Sequence, residues 1–424
     1  MPVKDTIKPM KTSFRAYLWG ALSALVVLLA LYFVPPIHRR LAWRWDAAMT
    51  TLRMSARPVG APPTPRPEVA VSATATVLPS PTATATATPT LTPGPTATPT
   101  PSPTPLPRQV RLKPPKWESQ DWNNCGPTTL ALYLRWWGWQ GDQYDISRVV
   151  KPKRGDRNVN VEELVGFVNN QVRGFSAIYR VGGDLETLKR VLAFGMPVMI
   201  EESMTLEKKF WPTDDRWAAH YLLITGYDDA AQEFTTQNSW SGPNLAVSYD
   251  TLLHNWEPFN FVYVLVFPNA RTDAIKRLLR SEWDVDANRR HALARIEALL
   301  KAHPDDAYLW FDLGTNLVYF ERYDEATDAY ARALALGLPQ RFLRYQFGPF
   351  IAYFHTARFD DLLALTDYTL KITPNSEEAH LWRGWALYRL GKKQEAIAEF
   401  RTALEANPHY EDAKYALQFL GARP

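Results

Sequence analysis

Between Pro58 and Pro107 the chain holds fifteen of its 34 prolines, with thirteen threonines and only two charged side chains, Arg66 and Glu68. Proline fixes φ and removes a backbone donor, and runs such as Thr-Ala-Thr-Ala-Thr offer no apolar periodicity. Such a block cannot bury enough surface to fold. It therefore divides the 424 residues into an N-terminal segment, 1–57, and a C-terminal portion that must carry any core. As a disordered, extended spacer, residues 58–108 would reach roughly 150 Å at ~3 Å per residue. Thr/Pro stalks of this kind commonly hold a domain off a membrane.

The formal net charge of +4 is unevenly placed. Residues 1–107 carry ten Lys/Arg against three Asp/Glu, residues 109–267 sixteen against nineteen, and residues 268–424 twenty-one against twenty-two. Both folded regions are thus slightly acidic, which excludes a nucleic-acid surface. One cysteine, Cys125, excludes a disulfide scaffold and any thiolate-rich metal centre, and no metal or other cofactor is expected.

Ala16 to Val34 is a run of nineteen uncharged residues with Tyr17, Trp19, Tyr32 and Phe33 at its ends. At about 1.5 Å per residue it covers most of a ~30 Å hydrocarbon core, and no small-residue cleavage site follows it. It is read as an uncleaved, single-pass transmembrane helix. Basic residues flank both ends, so the Thr/Pro block decides the orientation: a cell-membrane protein with its C-terminal domains outside the cytoplasm.

Residues 273–424 are internally periodic. Glu321-Arg-Tyr-Asp-Glu-Ala326, Ala357-Arg-Phe-Asp-Asp-Leu362 and Gly391-Lys-Lys-Gln-Glu-Ala396 are spaced by 36 and 34 residues, and Pro304, Pro339, Pro374 and Pro408 close successive units. Gly314, Ala326 and Ala333, then Gly384, Ala396 and Ala403, supply small residues where paired helices approach, with Tyr330 and Phe400 at the large position. This helix–turn–helix period resembles the tetratricopeptide repeat, an all-α solenoid whose concave face takes peptides or proteins. The middle unit departs, with Leu362 and Thr369 at small positions and two extra residues. The array is expected to recruit a protein partner and to be separable from catalysis; the other possibility is a packing cap.

Residues 109–268 carry the chemistry. After Trp117-Glu-Ser-Gln120-Asp-Trp-Asn-Asn comes Cys125-Gly-Pro127, and Leu130, Leu134 and Trp137 then form one helix face ending at Gly138. Cys125 stands at a helix N-terminus, where the macrodipole favours thiolate and should lower the pKa from ~8.5. His220 opens a strand, and Asn238 follows a second strand, Glu233 to Gln237, before Ser239-Trp240. Adjacent strands would bring the Asn238 amide to the imidazole. His254, on an expected helix, has no such neighbour.

The series Gln120, Cys125-Gly-Pro, His220 and Asn238-Ser-Trp resembles the papain-like cysteine peptidases, and most closely their bacteriocin-processing, double-glycine branch. The resemblance implies an α+β domain with the nucleophile helix packed on an antiparallel sheet. Cys125 would be the nucleophile, His220 the general base and acid, and Asn238 the residue that orients it. Gln120 would donate to the oxyanion, with Asn123 or Asn124 as substitutes. That branch usually has Asp where this chain has Asn238. The expected function is a membrane-anchored cysteine peptidase acting on a peptide or protein substrate. A non-catalytic peptide-binding scaffold, and a thiol amidase or acyltransferase acting on cell-wall peptides, are the alternatives.

Overall fold

The computed structural model describes residues 11–32, 48–56, 58–65, 105–152 and 158–423. The bulk of the Thr/Pro block, 66–104, and the last two residues of the expected span, Phe33 and Val34, lie outside the described residues. Helix α1, Lys11–Tyr32, covers the rest of that span but spends its first turns on charged Lys11 and Arg15. Among the described residues no helix is long and apolar enough to cross a membrane. The expected anchor thus gains no support from the fold.

Seven strands build one antiparallel sheet: β1 Gln109–Arg111, β2 Phe175–Arg180, β3 Val198–Thr205, β4 Trp217–Asp228, β5 Glu233–Asn238, β6 Gly242–Ser248 and β7 Tyr263–Pro268. Their order is β2-β7-β3-β4-β5-β6, with β1 added along β4. The long β4 is the spine: β3 pairs with its first two-thirds and β5 with its second half. β1 pairs at Gly226, where a Cβ would stand 2.5 Å from the Val110 carbonyl oxygen. Helices α2 Cys125–Trp136, α3 Gln143–Val150, α4 Val161–Gln171, α5 Leu185–Ala193 and α6 Tyr249–Trp256 surround this sheet. The apolar spacing foretold one buried face, but α2 is enclosed all round from Gly126 to Leu134, because it is the central helix against the sheet, while Trp137 is only partly buried. Thr129 Oγ1 donates to the Tyr221 carbonyl on β4 at 3.0 Å, and Tyr133 donates to the Pro197 carbonyl.

After α7, Thr272–Leu279, the C-terminal portion is all helix: α8 Val285–Ala302, α9 Ala307–Tyr319, α10 Tyr323–Leu336, α11 Gly348–His355, α12 Phe359–Ile372, α13 Glu377–Arg389, α14 Lys393–Ala406 and α15 Glu411–Phe419. The three aligned hexapeptides are the turns between paired helices, and Glu321, Ala357 and Gly391 all take positive φ there. Gly314 lies under the ring of Tyr330, and Gly384 under that of Phe400; a Cβ at either would come within 2.6 Å of the ring. The middle unit inverts this pairing. Phe350 occupies the glycine position and Thr366 the aromatic one, and both are fully buried.

The repeats are not separable from the sheet domain. Ala292, Ile296 and Leu300 of α8 belong to the same apolar core as β3, β4 and β7. Asn288 exchanges hydrogen bonds with both backbone groups of Val181, just past β2. The irregular middle unit supplies the second junction. Its long connection between α10 and α11 presents Arg341, whose guanidinium meets Asp214 in two parallel bonds of 2.7 and 2.8 Å. Both side chains are almost wholly buried, and the guanidinium also stacks 4.3 Å over Trp211. Phe342 and Tyr345 close around Trp217. The expectation of an independent recruiting array is therefore corrected: removing residues 285–424 would strip the core of the sheet domain.

The N-terminal segment joins the same body. Residues 48–56 are helical, and 58–65, which composition places in the spacer, follow without regular secondary structure. Met54 and Val59 are buried among repeat residues. Thr213, Gln340 and Tyr368 donate to the carbonyls of Val59 and Gly60.

Burial alone would raise the Asp214 pKa, but Arg341 and the N–H groups of Phe210 and Arg216 hold it below the usual carboxylate range. Truncating one partner of such a pair strands a buried charge, so Asp214→Ala should cost about 3–5 kcal/mol in urea unfolding at pH 7. A depressed folded pKa means the contribution is present above the unfolded value and lost as pH falls through the folded one. The wild type should therefore weaken below pH ~4 along a limb that Asp214→Ala lacks. Equal stability of the two proteins at pH 7 would remove the pair from this role.

Candidate active site

Cys125 is the first residue of α2 and lies against β4. Gly126 behind it permits this approach, since a Cβ there would meet the Tyr221 ring and Leu164 at 3.2 Å. The loop before α2 is held from below by Gln143 at the start of α3. Its Oε1 accepts from the Asp121 N–H, Asn124 Nδ2 and Thr128 Oγ1 at 2.7–3.0 Å, and its Nε2 donates to the Ser119 carbonyl. Buried Lys151 donates to the carbonyls of Trp122 and Asn123. Asn123 adopts φ +48°, the left-handed turn that delivers Cys125 to the cleft.

His220 on β4 is 1% exposed. Its Nε2 lies 3.1 Å from Asn238 Oδ1. That oxygen also accepts from the N–H groups of Trp240 and Ser241 at 2.8 and 2.9 Å, which fixes the amide with its oxygen toward the ring. Nε2 must then be the donor, and in the neutral ring the lone pair is on Nδ1. Asn238 pairs with Leu222 on β4, so regular alternation puts its side chain on the face that carries His220, two residues back along the strand.

Gln120 is tied to the same turn. Its N–H donates to the Ser239 carbonyl at 2.9 Å, and its Oε1 accepts from Ser239 Oγ at 2.8 Å, leaving Nε2 as its donor end. Trp117 Nε1 donates to the Asn238 carbonyl. Gln120, Asn123, Cys125, His220 and Trp240 line one cavity of about 380 Å³. The structure thus gathers Gln120, Cys125, His220 and Asn238, the four residues singled out in the sequence. Asn124 is buried beneath the loop, where its Nδ2 donates to Gln143, and it does not line that cavity. His254 is exposed on α6, away from that cavity.

The ionisation differs from the sequence expectation. Burial pushes the Cys125 thiol above its ordinary value, and the nearby Glu201 adds to the rise. The N–H groups of Tyr221 and Gly126 pull the other way without prevailing. Burial also pushes His220 down to about 4, against a small upward pull from Asn238. The resting pair is neutral thiol and neutral imidazole, not thiolate and imidazolium. Glu202 is the nearest carboxyl across the sheet from His220. It lies directly opposite His220 across β3 and β4, so both side chains project to one face about 5 Å apart at Cβ. Burial raises its pKa to about 8, so at neutral pH it offers an imidazolium no countercharge.

The sequence reading missed the far wall of the cavity. It is built by Leu206 to Trp211 of the β3–β4 connection and by Arg341, Arg344, Tyr345 and Ile372 of the repeats. The two extra residues of the middle unit were the available signal.

Comparison with known families agrees with this division. Residues 106–264 match the Peptidase_C39 like family, and residues 286–341 and 377–410 match tetratricopeptide repeats. The irregular unit falls between the two repeat matches. No curated protein matches the chain. Among solved structures, a C39-like peptidase from Bacillus anthracis is 15% identical over 38% of this chain and 98% of its own, at a TM-score of 0.30. A double-glycine motif protease from an AMS/PCAT transporter, solved with its leader peptide, is 12% identical over 38% and 95%, at 0.28. The Arabidopsis OM64 TPR domain is 24% identical over 27% and 93%, at 0.25. The chain carries a C39-like peptidase domain followed by tetratricopeptide repeats.

Two titrations test this electrostatic picture. Alkylation of Cys125 by iodoacetamide should be slow at pH 6–7 and climb only on the alkaline side; a fast plateau near pH 6 would restore the thiolate pair. Because the Glu202 pKa is raised, the folded state binds the extra proton, and stability falls as pH climbs from about 4.5 to about 8. Glu202→Gln should therefore gain a few kcal/mol over wild type at pH 8.5, with the gap closing near pH 5. A pH-independent gap in urea unfolding would contradict it.

Proposed function

We propose that this chain is a cysteine peptidase that opens peptide bonds through Cys125, His220 and Asn238, in a cleft walled on one side by its own repeats. The observation that carries this is the Asn238 amide, fixed by two backbone N–H groups, which holds His220 in the one tautomer that can take a proton at Nδ1. On substrate binding the Cys125 thiol proton passes to Nδ1 as Sγ bonds to the scissile carbonyl carbon. The oxyanion is met by Gln120 Nε2 and the Cys125 N–H. The imidazolium then protonates the leaving amine, and water, deprotonated by His220, releases the acyl group from sulfur. Since Glu202 is neutral, the imidazolium is stabilised mainly by Asn238 and by the transition state itself.

One observation favours a second reading. A buried, neutral thiol and imidazole also suit a domain that binds peptides without cutting them. The decisive measurement is hydrolysis of a quenched peptide library by the full chain. Cys125→Ala and His220→Ala should each lose at least ~10³-fold in kcat/KM, and Asn238→Ala less, because Asn238 carries no proton in the reaction. Retention of peptide binding without turnover in the wild type would establish the scaffold.

The location remains a proposal resting on sequence. The uncharged run from Ala16 to Val34 would tether the protein to the cell membrane, with the catalytic body outside the cytoplasm. Protein partners would be engaged by whatever repeat surface the sheet domain leaves uncovered. A membrane-impermeant maleimide, used at a pH where the folded thiol is shown to react, should then label Cys125 in intact cells; labelling confined to lysed cells would place the body inside.

A further inference from the structure

The cavity that holds Cys125 has a third contributor besides the sheet domain and the repeats. Thr50, from the helical stretch 48–56 that precedes the Thr/Pro block, lines it together with Trp211 and Ile372. Among residues 48–56 only Met54 is buried and only Thr50 is half-buried, whereas Leu52 is exposed. Met54 and Thr50 stand four positions apart and so share one face of the helix, which the burial of Met54 turns toward the body. Met54 and Val59 belong to one apolar cluster with Trp211, Tyr368 and Ile372. The side chains that anchor the segment therefore pack into the same wall that shapes the cleft.

The same segment spans the junction within that wall. The Val59 carbonyl accepts from Thr213 Oγ1 of the β3–β4 connection at 3.3 Å and from Gln340 Nε2 of the repeats at 3.4 Å. Those donors stand one residue before Asp214 and Arg341. Bonds of that length are weak, so the docking rests on the buried side chains of Met54, Val59 and Pro62. An element held by so few apolar anchors belongs to the low-stability end of a fold and opens before the rest. Residues 66–104 keep it tied to the body, so it redocks at high effective concentration. We infer that the segment carrying Thr50, Met54 and Val59 is a detachable wall of the cleft. Docked, it narrows the approach to Cys125 and sets Thr50 against a bound extended chain; undocked, it admits bulkier ones. Access to the thiol changes in this way whether the domain cuts peptides or only binds them.

The single cysteine makes this access measurable in the full chain. Cys125 is labelled at pH 8.5 with N-ethylmaleimide and with a maleimide carrying a polyethylene glycol chain of about 5 kDa. The ratio of the two rates is read within each protein, so a change in thiol reactivity cancels. Met54→Asp should undock the segment and raise the large-to-small ratio at least fivefold. Thr50→Trp keeps the anchor and adds bulk to the wall, so its ratio should fall below that of wild type. It carries the test alone where Met54→Asp does not fold. Leu52→Asp adds the same charge on the exposed face and should match wild type. An unchanged or lowered ratio in Met54→Asp, a Thr50→Trp ratio at or above wild type, or an equal rise in Leu52→Asp overturns the inference. Hydrolysis of a quenched peptide library by the same proteins separates it from the peptidase reading. Shifted labelling ratios with no hydrolysis keep the wall and remove the peptidase; hydrolysis with unshifted ratios does the reverse.

Discussion

The buried pair of Arg341 and Asp214 is the constraint from which the rest of the architecture follows. Asp214 would be costly to bury alone, and it satisfies not only the guanidinium but also the N–H groups of Phe210 and Arg216. A single carboxylate thereby folds the β3–β4 connection into a fixed shape. The guanidinium, in turn, is supplied by the repeats and donates to the Trp217 carbonyl at the start of β4. Loop, strand and solenoid are locked by one ion pair, and the cleft wall is what that lock creates. Buried pairs of this kind contribute little net stability over a hydrophobic replacement. Their effect is geometric: only one docking of the two parts satisfies all the donors.

The ionisation of the site shows which of two opposed effects is larger. A helix N-terminus favours an anion by some 0.3–1 kcal/mol, up to ~2 in partly buried settings. Withdrawing a thiolate or an imidazolium from water costs several kcal/mol. Sequence shows the first effect plainly, because it is local, and hides the second, because burial is a property of the packed fold. The result is a pair of neutral groups; under the proposed mechanism their charge would separate only when a substrate fills the cleft and an oxyanion develops.

The same distinction between local and non-local information governs what the sequence disclosed. Pro127, the apolar spacing of α2 and Gly138 all act within one helix, and that helix was legible. Gly314 with Tyr330, and Gly384 with Phe400, are separated by sixteen residues within one repeat, and the repeat pattern carried them. Cys125, His220, Asn238 and Gln120 were readable as an ordered set of chemical types. The hub at Gln143 was not, because a glutamine that accepts three hydrogen bonds looks like any surface glutamine before α3. Asp214 and Arg341 lie 127 positions apart, in a loop and in an imperfect repeat. No period or motif links them. The inversion of Phe350 and Thr366 has the same character: each looks like a departure from the pattern until both are placed in one interface.

The docking of residues 48–65 changes what the proline-rich segment is mechanically. Residue 65 leaves a body to which residue 105 returns. A spacer adds its length to the distance between two objects; a segment with both ends on one object adds nothing. The distance from the end of α1 to the folded body is set instead by residues 33–47, which at 3.3–3.6 Å each span about 50 Å at most. The long Thr/Pro stretch is then a closed handle on the molecule. Because loop entropy grows only logarithmically, doubling its length costs about 0.6 kcal/mol. A stretch so placed can lengthen, shorten or accept insertions at little cost to the body on which both its ends lie.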